Sequence, residues 1–192
     1  MQGDAHKLAF QVREAIVPAF SNIQAWSPSE QKSSAFWTGK LYAAMEALAS
    51  TLNLDVRISR NEPRNWQFLY DVAFLETTDP RLLDGSGYFR PEASLKRLVI
   101  ALESEWSRDS KEIIYDFTKL LVARATLRVL VFCPTTANDA DAILERVAAA
   151  IRDFRDSDPQ DVYLVCAITA AAPRCVLFNG SGGIHPFLPN EA

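Results

Sequence analysis

The chain has 192 residues, with 20 Lys and Arg against 24 Asp and Glu for a formal net charge of −4, and 48% of its residues are hydrophobic. That balance excludes a disordered chain, and a chain this long can bury roughly 70% of its unfolded surface, so it needs no disulfide or metal staple. No run of about 18 apolar residues occurs, so no membrane-spanning helix is expected.

One domain over residues 1–192 is the expectation, with 1–26 as an N-terminal helical extension and 180–192 as a flexible tail. Asp4 to Phe20 reads as an amphipathic helix, with Leu8, Val12, Ile16 and Ala19 at helical spacing. The charged residues mixed into Met1 to Phe20 do not suit a signal peptide. Ser27, Pro28 and Glu30 form a capping box that predicts a helix running on to about Ser50. Val56 to Ile58 alternates like a short strand, and Gln67 to Glu76 reads as a second strand with Asp71 inside an apolar run. Residues 77–94 read as a long loop carrying Gly85, Gly87 and Pro91. Arg97 to Trp106 is the clearest strand. Asp109 to Glu112 is a second capping-box pattern, opening a helix. Leu127 to Cys133 reads as a buried strand, Asn138 to about Arg155 as a helix, and Val162 to Thr169 and Arg174 to Phe178 as strands. Strands interleaved with helices predict an α/β protein with a mixed sheet.

The scarce residues narrow the chemistry. With only His6 and His185, a His triad or a multi-His metal site has no material to draw on. Cys133, Cys166 and Cys175 are an odd count in apolar stretches, which reads as core thiols in a reducing cytoplasm. The acidic balance gives no basic stripe for a non-specific nucleic-acid coat.

Carboxylates are the exception. On a strand, alternation places Val99, Ala101, Glu103 and Glu105 on one face. Two neighbouring carboxylates repel unless a cation or a proton lies between them. Asp71 repeats the oddity on the preceding strand. If the two strands pair, Asp71, Glu103 and Glu105 converge as hard oxygen ligands for Mg²⁺ or Mn²⁺. The competing account is the solvated end of an exposed strand face.

The segments Tyr70 to Val72, Ile100 to Trp106, Asp116 to Leu121 and Arg128 to Phe132 together resemble the PD-(D/E)XK nuclease superfamily. The resemblance covers residues 30–135 and runs through order and spacing more than identity. It implies a restriction-endonuclease-like three-layer sandwich, with a central mixed sheet flanked by helices. It also implies a metal-dependent phosphodiesterase acting on DNA or RNA, or a relative that keeps the fold as an inactive module binding a protein or nucleic-acid partner. Such domains often pair as homodimers. Asp71 matches the first acid, without the preceding Pro, and Asp84 competes for that role. Glu103 matches the second acid. Glu105 stands where the family usually has Lys, and Glu cannot supply that positive charge. Lys119 on the following helix is the candidate replacement, and Glu46 on the first core helix is a candidate extra acid. Lys119 falls nearly opposite the stripe of Ile113, Phe117, Leu120 and Leu121, so an exposed ion pair with Asp116 is its alternative account.

The Gly-rich stretches at 85–87 and 180–183 lack the Lys of a phosphate-binding loop. Arg57, Arg60, Arg64 and Trp66, or Arg81, Arg90, Lys96 and Arg97 around the long loop, could contact phosphates or be solvated. Trp26, Trp37 and Tyr42 suit core packing better than base stacking.

Overall fold

In the computed structural model, which describes residues 2–59, 69–78 and 94–187, seven strands form one mixed sheet in chain order. Strands β1 (Asp55–Ile58), β2 (Val72–Thr77) and β3 (Leu95–Glu105) make an antiparallel meander. Strands β4 (Ala125–Phe132) and β5 (Val162–Ile168) then continue parallel to β3. Strands β6 (Pro173–Asn179) and β7 (Ile184–His185) return antiparallel. The helices are α1 (Gln2–Phe20), α2 (Pro28–Gln31), α3 (Ser34–Leu52), α4 (Ser110–Leu121) and α5 (Ala137–Asp153). The two parallel links carry α4 and α5, as a crossover between parallel strands requires.

Side-chain alternation sorts the strands into two cores. Leu102, Val129, Val131, Leu164 and Cys166 face α1 and α3. Ala101, Leu130, Phe132, Tyr163 and Val165 face α4 and α5. Helices therefore cover both faces, giving an α/β arrangement of three layers. One expected face assignment fails: Val99 joins Ile100 on the α1 side. The register shifts opposite Phe74 and Leu75, where a bulge interrupts the period of two.

Helix α1 is part of the core. Val12, Ile16 and Phe20 are fully buried, and the Phe20 ring lies 5.8 Å from Trp37 and 5.9 Å from Trp106. The Ser27 capping box forms as read, but it closes only the four-residue α2. A new helix starts at α3, with Ser33 as its own cap. Asn53, at φ 53°, ends α3 in the left-handed conformation that stops helices. Strand β2 starts at Val72, five residues after the expected start, so Asp71 stands just before it. Strand β3 starts at Leu95, two residues before the expected start at Arg97. Within the expected tail, β7 pairs with β6. Gly182, at φ +74°, makes the turn between them, where a Cβ would lie 2.6 Å from the Ala148 carbonyl oxygen. Asp84, Arg60, Arg64, Trp66, Arg81, Arg90 and the glycines at 85 and 87 lie outside the described residues.

Arg128 is buried in β4. It donates to the Ala123 carbonyl at 2.8 Å, pairs with Asp161 at 3.0 Å and stacks over the Tyr163 ring. Among the described residues no helix is long and apolar enough to cross a membrane. Phe117 of α4 is fully buried between the helix and the sheet. Phe117→Ala is expected to cost about 3–5 kcal/mol through lost burial and a residual cavity, read as a lower urea midpoint.

Candidate functional site

The site lies at the C-terminal end of β3, the central strand between β2 and β4. Alternation carries Glu103 onto the α4 side, where it is 1% exposed. Carboxylates are almost never buried so fully without a partner. Its partner comes from α4: Lys119 Nζ lies 2.7 Å from Glu103 Oε2 and 2.9 Å from Asp116 Oδ1. At about 100° per residue Lys119 does lie nearly opposite the buried stripe, as expected, but its four-carbon stem brings the ammonium back to the sheet. The exposed pair with Asp116 does form, but Lys119 spans both acids.

Glu103 Oε1 is buried and has no hydrogen-bond partner. Burial pushes the Glu103 carboxyl up to about 8, helped by the charges of Asp71 and Asp116 and opposed by Lys119. Burial would pull Lys119 down, but its hydrogen bonds to Glu103 and Asp116 outweigh that and raise it. Asp116 is raised by burial and by the neighbouring Glu105. The electrostatic balance is plain. Asp71, Glu103, Glu105 and Asp116 bring four acids to one end of the strand, and Lys119, bridging Glu103 and Asp116, sets a single positive charge against them. Such an excess takes up protons, or a cation.

The other acids are held separately. Asp71 Oδ2 accepts from the Ser104 backbone N–H at 2.9 Å and from its hydroxyl at 2.8 Å. The Asp71 carbonyl accepts from Ser59 N–H at 2.8 Å, tying it to the end of β1. Ser104 faces α3, so Asp71 and Glu103 approach the strand end from different sides. They still feel each other's charge. Glu105 Oε1 accepts from the Ser107 backbone N–H, and its carboxyl lies beside Asp116. Glu46 of α3 lines a cavity of about 670 Å³ with Thr38, Tyr42, Ser59, Asp71 and Ser104. The Trp106 indole donates to Thr38 Oγ1 at 3.0 Å across the same region.

Sequence reasoning missed two participants. Asp116 was visible only as the i,i+3 partner of Lys119. Tyr70 is buried, and its hydroxyl is raised first by burial and then by the charge of Glu103. A tyrosine next to an out-of-place acid was the available signal. His6 and His185 meet each other, with ring centroids 5.4 Å apart. Arg57 is half-buried in β1, and Arg97 pairs with Glu76 at 3.1 Å.

The donor set can be tested against Mg²⁺. Among the described residues, no three His, Cys, Asp or Glu side chains are grouped to hold a metal ion. The expected shell of Asp71, Glu103 and Glu105 is thus not assembled as a cage. Magnesium, however, keeps several waters and commonly takes only one or two carboxylates. The orphaned Glu103 Oε1 is the kind of hard oxygen donor it accepts. The unpartnered Glu103 oxygen is the donor that suits such an ion, while Asp71 is engaged by Ser104 on the other side of the strand and Glu105 organises the turn into α4.

Compared with protein-family models, with curated proteins and with solved structures, the chain matches none, so its classification rests on the α/β architecture and on the chemistry of this strand end.

Proposed function

We propose that the protein is a metal-dependent phosphodiesterase of the restriction-endonuclease-like kind, acting on DNA or RNA. One observation carries the reading: a fully buried Glu103, with one oxygen unpartnered, is held by Lys119 from the following helix. The meander of β1 to β3, followed by α4 and a parallel β4, supports the same fold. In this reading Glu103 holds the metal, and Asp71 joins it by turning its carboxylate from Ser104 toward the strand end. Lys119 supplies the positive charge that Glu105 cannot supply, and it holds one Glu103 oxygen while leaving the other open. Asp116 fixes the far side of the Lys119 ammonium. A divalent ion bound there would stabilise charge on the phosphate and lower the pKa of a bound water. The cavity beside Asp71 and Glu46 gives the substrate room to approach from the α3 side.

The test begins with binding. Calorimetric titration with Mn²⁺ is expected to give saturable heat that disappears in Glu103→Ala. That loss, together with Mg²⁺-dependent cleavage of mixed DNA and RNA by the unaltered chain, supports the enzyme. A second reading, the inactive module, is favoured by the internal bonding of Asp71 and Glu105. It predicts no metal-dependent heat and no cleavage.

A further inference from the structure

Two of the three thiols belong to neighbouring strands. Cys166 of β5 and Cys175 of β6 are directly opposed in the antiparallel register. Opposed residues in such a pair have Cα atoms about 4.5 or 5.5 Å apart, depending on the hydrogen-bonding site. Both spacings lie inside the window of roughly 4.4–6.8 Å that a disulfide needs. The two Sγ atoms are 2.7 Å apart. A bond length of about 2.05 Å therefore requires only a small side-chain movement and no backbone rearrangement. The two thiols differ in access. Cys166 is fully buried beneath the α1 side of the sheet, whereas Cys175 is half-buried near the start of its strand. Burial, and then the neighbouring Cys175, raise the Cys166 thiol well above its ordinary value, and the charge of Arg13 on α1 offsets this only in part, so Cys166 stays a thiol until its partner is oxidised. Cys133, by contrast, is buried with its thiol directed at the Pro134 carbonyl and has no second sulfur as partner.

We propose that Cys166 and Cys175 are a reversible oxidation site, forming an intrachain disulfide with a small peroxide as oxidant. The more accessible Cys175 thiolate attacks one peroxide oxygen. The O–O bond breaks, Cys175 becomes a sulfenic acid and the other oxygen leaves as water after protonation. Cys166 sulfur then attacks the Cys175 sulfur. The S–O bond breaks, the hydroxyl leaves as a second water with the Cys166 proton, and the S–S bond forms. Two thiols lose two electrons in total, and the peroxide is reduced to two waters. A thiol reductant reverses the change by exchange.

The full chain, reduced and then exposed to graded hydrogen peroxide, is alkylated and digested with trypsin without reduction. Cleavage after Arg174 puts the two cysteines in different peptides. The expected result is one linked pair of peptides, 156–174 with 175–192, with Cys133 still alkylated and both thiols recovered after dithiothreitol. Cys175→Ser, with its circular dichroism checked, is expected to abolish the link and leave Cys166 a thiol under the same dose. The proposal is overturned if both cysteines remain alkylated at doses that oxidise the methionine of an added control peptide, or if Cys175 proceeds to sulfinic acid without linkage. Neither result depends on phosphodiesterase activity.

Discussion

Replacing Glu103 by Gln is expected to slow Mg²⁺-dependent cleavage by about 10²–10³-fold, the scale on which losing one preorganised charge-stabilising group acts. The amide keeps the volume of the side chain and can still accept from Lys119, so the fold should stand. What disappears is the capacity of the carboxyl to give up its proton and hold a cation at the unpartnered Oε1. Lys119→Met should give a loss of similar size, because it removes the cation that pairs with both Glu103 and Asp116. The double variant should be little worse than either single one, since groups acting as a unit are not additive. Initial rates on a nucleic-acid substrate over a range of Mg²⁺ concentrations, with circular dichroism of each variant, check this. Unchanged cleavage in Glu103→Gln takes that residue out of the mechanism.

Stability should fall as pH rises. In the unfolded chain Glu103 titrates near 4.5, while burial in the fold pushes it up to about 8. The folded state therefore binds the proton more tightly than the unfolded one. The stability this contributes is complete below about pH 4.5 and is lost progressively as pH rises to about 8. The slope is at most about 1.4 kcal/mol per pH unit for one group. Asp116 shifts in the same direction. Lys119 is raised from 10.5, so its effect lies above this window. Urea unfolding at pH 5 and pH 8 should show the wild-type chain weaker at pH 8. Glu103→Gln should remove most of that difference. An equal loss in both proteins would place the titrating group elsewhere.

Much of the architecture was legible because period and burial coincide. The continuous apolar run at 127–133 and the amphipathic stripe of α4 both correspond to what forms. Glu103 stood out as one of two neighbouring carboxylates at the end of an apolar strand, whereas its burial depends on α4 packing over it. Long-range packing was not legible. The stop after α2 depends on Ser33 starting a new cap, and the bulge opposite Phe74 moved Val99 to the other face. Lys119 shows the limit of a helical wheel. Its Cα direction points off the core, and only the length of its side chain, drawn by two carboxylates, returns the charge to the sheet. The role of Asp71 was blurred by the strand boundary: standing one residue before β2 and not within it, its carboxylate turns to Ser104.

The strand order has a consequence for biogenesis. The sheet adds strands in the order in which they are made, so each new strand finds its neighbour already present. Helix α1 is the exception, because it packs on α3 and on β4, β5 and β6. At ribosomal speeds of about 5–20 residues per second, its apolar face waits on the order of ten seconds for β5 to emerge. During that interval Val12, Ile16 and Phe20 are an adhesive surface on the nascent chain. Chaperone dependence should thus be set by α1, and truncation before β5 should yield an aggregating fragment and not a smaller folded one.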